Sequence, residues 1–388
     1  MNDLVVRRIG RLTSWARPVI EDAAVVITDG VIAWLGPDNA LPADLRDAPE
    51  LDAAGAAVLP GFVDCHTHAV WAGDRREDFL ARVDGGDYRP GGIASTVVAT
   101  AAAATEELTA TTAARLSRMR SNGATTVEMK SGYGLTVDSE LRLLDVAAAA
   151  AGQVDVSAST TYLGAHVVPV GRDRAEYVEE VIATLPAAAA HGAQWCDVFC
   201  DEGAFTVDEA RRILSAAARH GLGTRMHAEQ LANTGAARLA AELGCASADH
   251  LDFVTAGDAQ AMAAAAVVGV LVPVASLYTR SGRWSHATVL REAGVSLAIA
   301  TDCNPGTAHN ESMPLAIQLG CLEMGLGVEE SLRAATLGGA KALRRDDVGH
   351  LGIGAHGDLV VLASDHEVDV VAHLGAASVA TTIHGGRT

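Results

Sequence analysis

Two histidines separated by one residue, His66 and His68 in "DCHTH", close the apolar run "AAVLPGFV". Alternate residues of a β-strand share a face, so the two imidazoles point the same way. Burying both without a partner is costly, and a metal ion removes that cost. Polar or titratable residues also stand where other apolar segments end: Tyr133, His166, Asp201 with Glu202, His227 with Glu229, Asp249 with His250, and Asp302. From this set His66 and His68 supply two nitrogens, His227 a third, and Asp302 a carboxylate. Three imidazoles and one carboxylate around a single zinc or iron leave a position open for water. Such an ion brings the pKa of bound water to about 7 and polarises a carbonyl, which are the requirements of hydrolysis at neutral pH. His250 is placed to orient or deprotonate that water or to stabilise developing charge, while Asp302 can shuttle a proton.

These residues need elements that gather them at one place. Eight strand-like segments are legible, "AVLPGFVDCHTH", "TTVEMKSGYG", "VSASTTYLGAH", "CDVFCDEGAF", "GTRMHAEQ", "SADHLDF", "VGVLVPVAS" and "SLAIATDCNPG", alternating with Ala-rich helical ones. Eight βα units close a barrel whose active site lies at the C-terminal ends of the strands, where the titratable residues stand. Both chain ends read as short strands and Gly-rich turns, among them "AAVVITDGVIAWLG" and "GDLVVLASD". The expected fold is therefore α/β: a (β/α)8 barrel over residues 59–345 and a small β-sandwich domain built from residues 1–58 and 346–388.

Composition narrows the function. The chain has 388 residues, 49% hydrophobic and 20% charged, as in a globular enzyme. A net charge of -19 excludes a nucleic-acid partner, whose phosphates require a basic surface. No apolar run approaches the roughly 20 residues of a membrane span. The N-terminal "MNDLVVRRIGRLTSW" lacks the charge pattern of a secretory leader, which predicts a cytoplasmic protein. Six scattered cysteines without a CxxC pair read as reduced thiols.

"PGFVDCHTH", the histidine of "HAEQ" and the "ATD" before "CNPG" resemble the amidohydrolase superfamily, hydrolases and deaminases on a (β/α)8 barrel. Within it, "DCHTHAVWAGDRREDF", "EMKSGYGL", "YLGAHVVP", "HAEQLANTGAARLA", "SADHL" and "ATDCNPG", in this order, are similar to the imidazolonepropionase family. The resemblance implies opening of 4-imidazolone-5-propanoate by water to N-formimino-L-glutamate, the third step of histidine degradation, by a homodimer using one zinc or iron ion. It implies that Arg75 binds the substrate carboxylate, with Tyr133, His166, Gln230, Asn304, Gly306 and Thr307 as further substrate contacts. Glu229, Gln230 and His250 are the alternatives for handling the proton. Binuclear relatives carry a bridging lysine at the end of strand four, where this chain has "FCDEG"; Lys130 lies on strand two, so a single metal is expected. A mononuclear deaminase of a purine-like ring is the alternative enzyme. A catalytically silent scaffold is opposed by the intact ligand set.

Overall fold

The computed structural model describes residues 3–45, 48–85, 92–280, 282, 284 and 286–388. Its first sheet takes strands from both ends of the chain: β1 (Leu4–Leu12), β2 (Ile20–Thr28), β3 (Val31–Pro37), β4 (Glu50–Asp52), β5 (Ala57–Pro60), β14 (Leu359–Leu362) and β15 (Val379–Ile383), in the order β15-β14-β5-β1-β2-β3 with β4 beside β1. The second is an eight-stranded parallel sheet: β6 (Phe62–Asp64), β7 (Ala124–Lys130), β8 (Ser157–Ala165), β9 (Trp195–Cys200), β10 (Gly223–Ala228), β11 (Ser247–His250), β12 (Val268–Leu271) and β13 (Leu297–Ile299). This is the expected (β/α)8 barrel.

One segment divides differently from its sequence pattern. The apolar run leading to His66 reads as one strand, but β5 pairs with β14 of the first sheet and the barrel begins at Phe62. Gly61 makes the break: its N–H donates to the Asp358 carbonyl at 2.9 Å, and a Cβ there would collide with the Thr125 hydroxyl.

Period-two alternation joins the two sheets. Leu359 and Val361 of β14 enter the first sheet's core with Leu4, Val6, Ile9 and Val58, whereas Val360 and Leu362 face the barrel-side core with Ala57, Leu59 and Phe62.

Helices packed outside the barrel start at sequence-encoded caps. Thr206 and Glu209 form a capping box for Val207–Arg219, and Thr136 caps Val137–Val154. Each buries an apolar face, Ile213 and Leu214 in the first and Leu143, Leu144 and Val146 in the second.

The barrel closes where β13 meets β6. The seam is held by the parallel bridge Thr67↔Cys303 and by two bonds at 3.0 Å, Asp302 N–H to the His66 carbonyl and His68 N–H to the Cys303 carbonyl. Asp64 reinforces it by accepting from the Thr301 amide at 3.0 Å and hydroxyl at 2.6 Å.

Candidate active site

At the seam the first strand turns its two histidines onto the carboxylate that follows the last. Asp302 Oδ1 lies 3.4 Å from His66 Nε2 and 3.5 Å from His68 Nε2. His68 Nε2 lies 3.2 Å from His227 Nε2, so the nitrogens converge. His250, beside Ala228 in the β10–β11 register, places its ring 5.2 Å from His227 and 5.4 Å from His66. Asp302 and His250 follow or end their strands with positive φ, 51° and 77°, a sparsely populated region for such residues that redirects their side chains at the strand ends.

The donors fit a divalent ion. His66, His68 and Asp302 offer ligand atoms within 4.8 Å of one another, as do His66, His227 and His250. His66 Nε2 and Asp302 Oδ1 are buried without a hydrogen-bond partner, and a cation satisfies both. Burial holds the His66, His68 and His250 imidazoles well below their usual pKa, the neutral form that ligates metals. Burial also pushes the Asp302 carboxyl well up, a cost that a bound cation reverses.

Carboxylates behind the imidazoles set their tautomers. Asp249 Oδ2 accepts from His66 Nδ1 at 2.6 Å, which leaves Nε2 to face the cluster. Asp197 Oδ2 sits 3.1 Å from His227 Nδ1 and 2.8 Å from Lys130 Nζ; Lys130 also reaches Glu128 at 2.9 Å. Burial opposes ionisation of Asp197, yet His227 and Lys130 hold its carboxyl well below the usual range. Lys130 is thus occupied by carboxylates inside the barrel. Asp197 and Glu128 were not singled out from sequence; the available signal was charge inside apolar strands, Glu128 and Lys130 two apart on β7 and Asp197 two before Phe199 on β9.

Above the cluster lies a pocket lined by His68, His227, His250 and Asp302 below and by Arg75, Tyr133, His166, Gln230, Asn304, Gly306 and Thr307 around it, with Ile93 and Phe199 as apolar walls. All the expected substrate contacts line it. Arg75, 6% exposed, stands at the N-cap of the helix Arg76–Val83 and pairs through Nε with the Asp78 carboxylate. Gly92 and Gly306 flank its guanidinium, and a Cβ on Gly92 would collide with it. Asn304 Oδ1 accepts from the amides of Gly306 at 2.8 Å and Thr307 at 2.7 Å, fixing that loop, while Arg82 Nη2 donates to the Gly306 carbonyl at 2.6 Å. Arg82 had no motif to mark it.

Tyr133 is positioned by Glu140, whose buried carboxylate accepts from the amides of Gly132 and Gly134, both at 2.7 Å, and of Leu135 at 2.8 Å. His166 Nδ1 donates to the Gly132 carbonyl at 2.8 Å, so Nε2 is its acceptor when the ring is neutral. Burial holds this imidazole down to about 4, and its ring stacks on His68 with centroids 5.3 Å apart. Asp201 serves the Gln230 loop, accepting from the amides of Gln230 at 2.6 Å and Leu231 at 2.9 Å.

Glu229 departs from the expected proton-handling role. A φ of 57° at the end of β10 turns its carboxylate away from the pocket, where it accepts from the amides of Thr234 at 2.9 Å and of Gly235 and Ala237 at 3.1 Å. Three backbone donors at the start of the helix Ala236–Leu243 hold it there, so it caps that helix and is unavailable to a ligand.

The barrel, the convergent histidines and the pocket define a metal-dependent hydrolase, and a profile described as the amidohydrolase family matches residues 57–388. The chain belongs to that family. Within it the chain groups with the imidazolonepropionases: it is 46% identical over 369 residues to the imidazolonepropionase of Saccharopolyspora erythraea, covering 93% of this chain and 92% of that one. It is 44% identical over 396 residues to the imidazolonepropionase of Salinispora tropica, covering 100% and 98%. Among solved structures, a zinc-bound adenosine deaminase from Xanthomonas campestris superposes with a TM-score of 0.77 at 22% identity, covering 99% of this chain and 92% of that one. A triazine hydrolase variant superposes with a TM-score of 0.80 at 16% identity, covering 100% and 94%. These two likenesses concern the fold.

Proposed function

We propose that the chain opens the ring of 4-imidazolone-5-propanoate with water to give N-formimino-L-glutamate. The observation that carries this reading is the joining, in one pocket, of a His/Asp metal cluster to a buried arginine, in a chain 46% identical to an imidazolonepropionase. A purine-like substrate offers no carboxylate to Arg75, so the deaminase alternative is not favoured.

The bound divalent ion, zinc or iron, supplies Lewis acidity toward the ring carbonyl and acidifies the attacking water. His66, His68, His227 and Asp302 would hold it. Arg75 anchors the propionate by a charge-assisted, bidentate pair, with the Gly306–Thr307 backbone at its side. Tyr133 and His166 border the imidazolone, His166 presenting Nε2 and Tyr133 its hydroxyl. His250, whose Nδ1 has no hydrogen-bond partner, orients water and receives its proton, which Asp302 relays to the departing ring nitrogen. Gln230 contributes an amide contact rather than a carboxylate base. The reading includes a cytoplasmic location, supported by the absence among the described residues of any helix long and apolar enough to cross a membrane. It also includes a homodimer, which light scattering checks as twice 39.9 kDa.

The test is turnover of freshly generated imidazolonepropionate, with the product identified by mass spectrometry. Formation of N-formimino-glutamate, abolished by chelation and restored by zinc or iron, is expected. An intact substrate ring beside metal-loaded protein would refute the assignment.

A further inference from the structure

At the opposite end of the barrel a second cluster of ligand-type side chains is built where the first sheet meets the N-terminal rim. The antiparallel register Leu359↔Ile383 sets Asp358, before β14, beside His384, after β15. His356 enters from the turn before Asp358, its ring centroid 4.9 Å from that of His384. One ligand atom from each of His356, Asp358 and His384 lies within 4.8 Å of the other two. Asp358 is 2% exposed and His384 7%. Asp358 Oδ1 is engaged, accepting from His356 Nδ1 at 2.6 Å and from the Gly385 amide at 3.0 Å. Its Oδ2 is buried and has no hydrogen-bond partner, which leaves half of a sequestered carboxylate unsatisfied.

We propose that His356, Asp358 and His384 form a second metal site, taking zinc by their nitrogen and oxygen donors and tying the end of β15 to the loop before β14. Three protein ligands and one water make a tetrahedron, and the half-buried side of His356 admits the water. His384 is already oriented for ligation, with Asp155 Oδ1 3.1 Å from Nδ1 and the Ser157 hydroxyl 3.1 Å from Nε2. Asp155 plays the outer part that carboxylates play at metal-bound imidazoles, and the rotatable Ser157 hydroxyl yields its nitrogen without moving the backbone. Ser157 begins β8 and His166 follows its end, so the strand separates this cluster from the catalytic one by roughly 30 Å at about 3.3 Å per residue. The site has no part in the chemistry of the pocket. It anchors the C-terminal strand to the barrel, and its occupancy stabilises the folded chain.

The full chain is stripped with chelator, reloaded with excess zinc, desalted and analysed for zinc per chain by mass spectrometry. Wild type is expected to hold two equivalents and His356→Ala one, with turnover unchanged in the variant. Zinc is expected to raise the melting temperature of wild type beyond the rise seen in His356→Ala. If the alanine variant does not fold, His356→Gln is read in its place. One equivalent in wild type, or two in a folded variant, overturns the proposal. Two equivalents in a chain that leaves imidazolonepropionate intact would instead locate the failure in the catalytic reading.

Discussion

On the proposed reading Arg75 holds the substrate carboxylate and His250 serves the attacking water, so their removal separates in the kinetics. Arg75→Ala deletes a charged contact to the carboxylate and is expected to raise KM by about 10- to 100-fold, the equivalent of roughly 1.5–3 kcal/mol. His250→Ala removes a proton acceptor and is expected to lower kcat by about 10²- to 10⁴-fold with a smaller change in KM. Steady-state rates on both variants check this, and unchanged constants in either one reject its role. At this scale most of the site was legible because ligand chemistry restricts residue type: two histidines at i and i+2 just past an apolar strand have few other reasons to exist. Glu229 was not legible, because nothing in the letters "HAEQ" reports that the backbone takes a left-handed turn there and swings the carboxylate onto the amides of a helix. Arg82 was not legible either, since its bond to the Gly306 carbonyl joins it to a loop 224 residues away.

Between residue and barrel stand the loops at strand ends, two of them held by carboxylates outside the pocket lining. Glu140 organises the turn carrying Tyr133, and Asp201 the turn carrying Gln230. Glu140→Gln keeps the size but leaves an amide N–H₂ facing backbone donors. It is expected to cost about 1–3 kcal/mol in denaturant unfolding and to raise KM, because Tyr133 loses its support. A variant with wild-type stability and KM would show that the loop holds itself. Strand positions were readable from alternation and from polar terminators. The exception, the break at Gly61, arises because two successive strands with the same apolar character join different sheets, a decision made by tertiary pairing that local pattern does not record.

Across the whole molecule the two sheets share buried side chains. Leu59 is fully buried in the barrel-side core although it belongs to the first sheet. Leu59→Ala is expected to destabilise the protein by about 2–5 kcal/mol and to shift one cooperative transition, read by denaturant titration with fluorescence and circular dichroism together. Two separated transitions would mean that the sheets unfold independently. The seam between β13 and β6 adds a constraint in time. Asp64 and Thr301, which join it, are 237 residues apart, and the proposed ligands His66 and His68 lie on one side of that join and Asp302 on the other. On the ribosome, at about 5–20 residues per second, the two histidines wait for most of the chain to be made before their carboxylate partner exists. The newborn protein therefore spends its synthesis without a complete catalytic centre, and acquires one only when the last strand docks against the first.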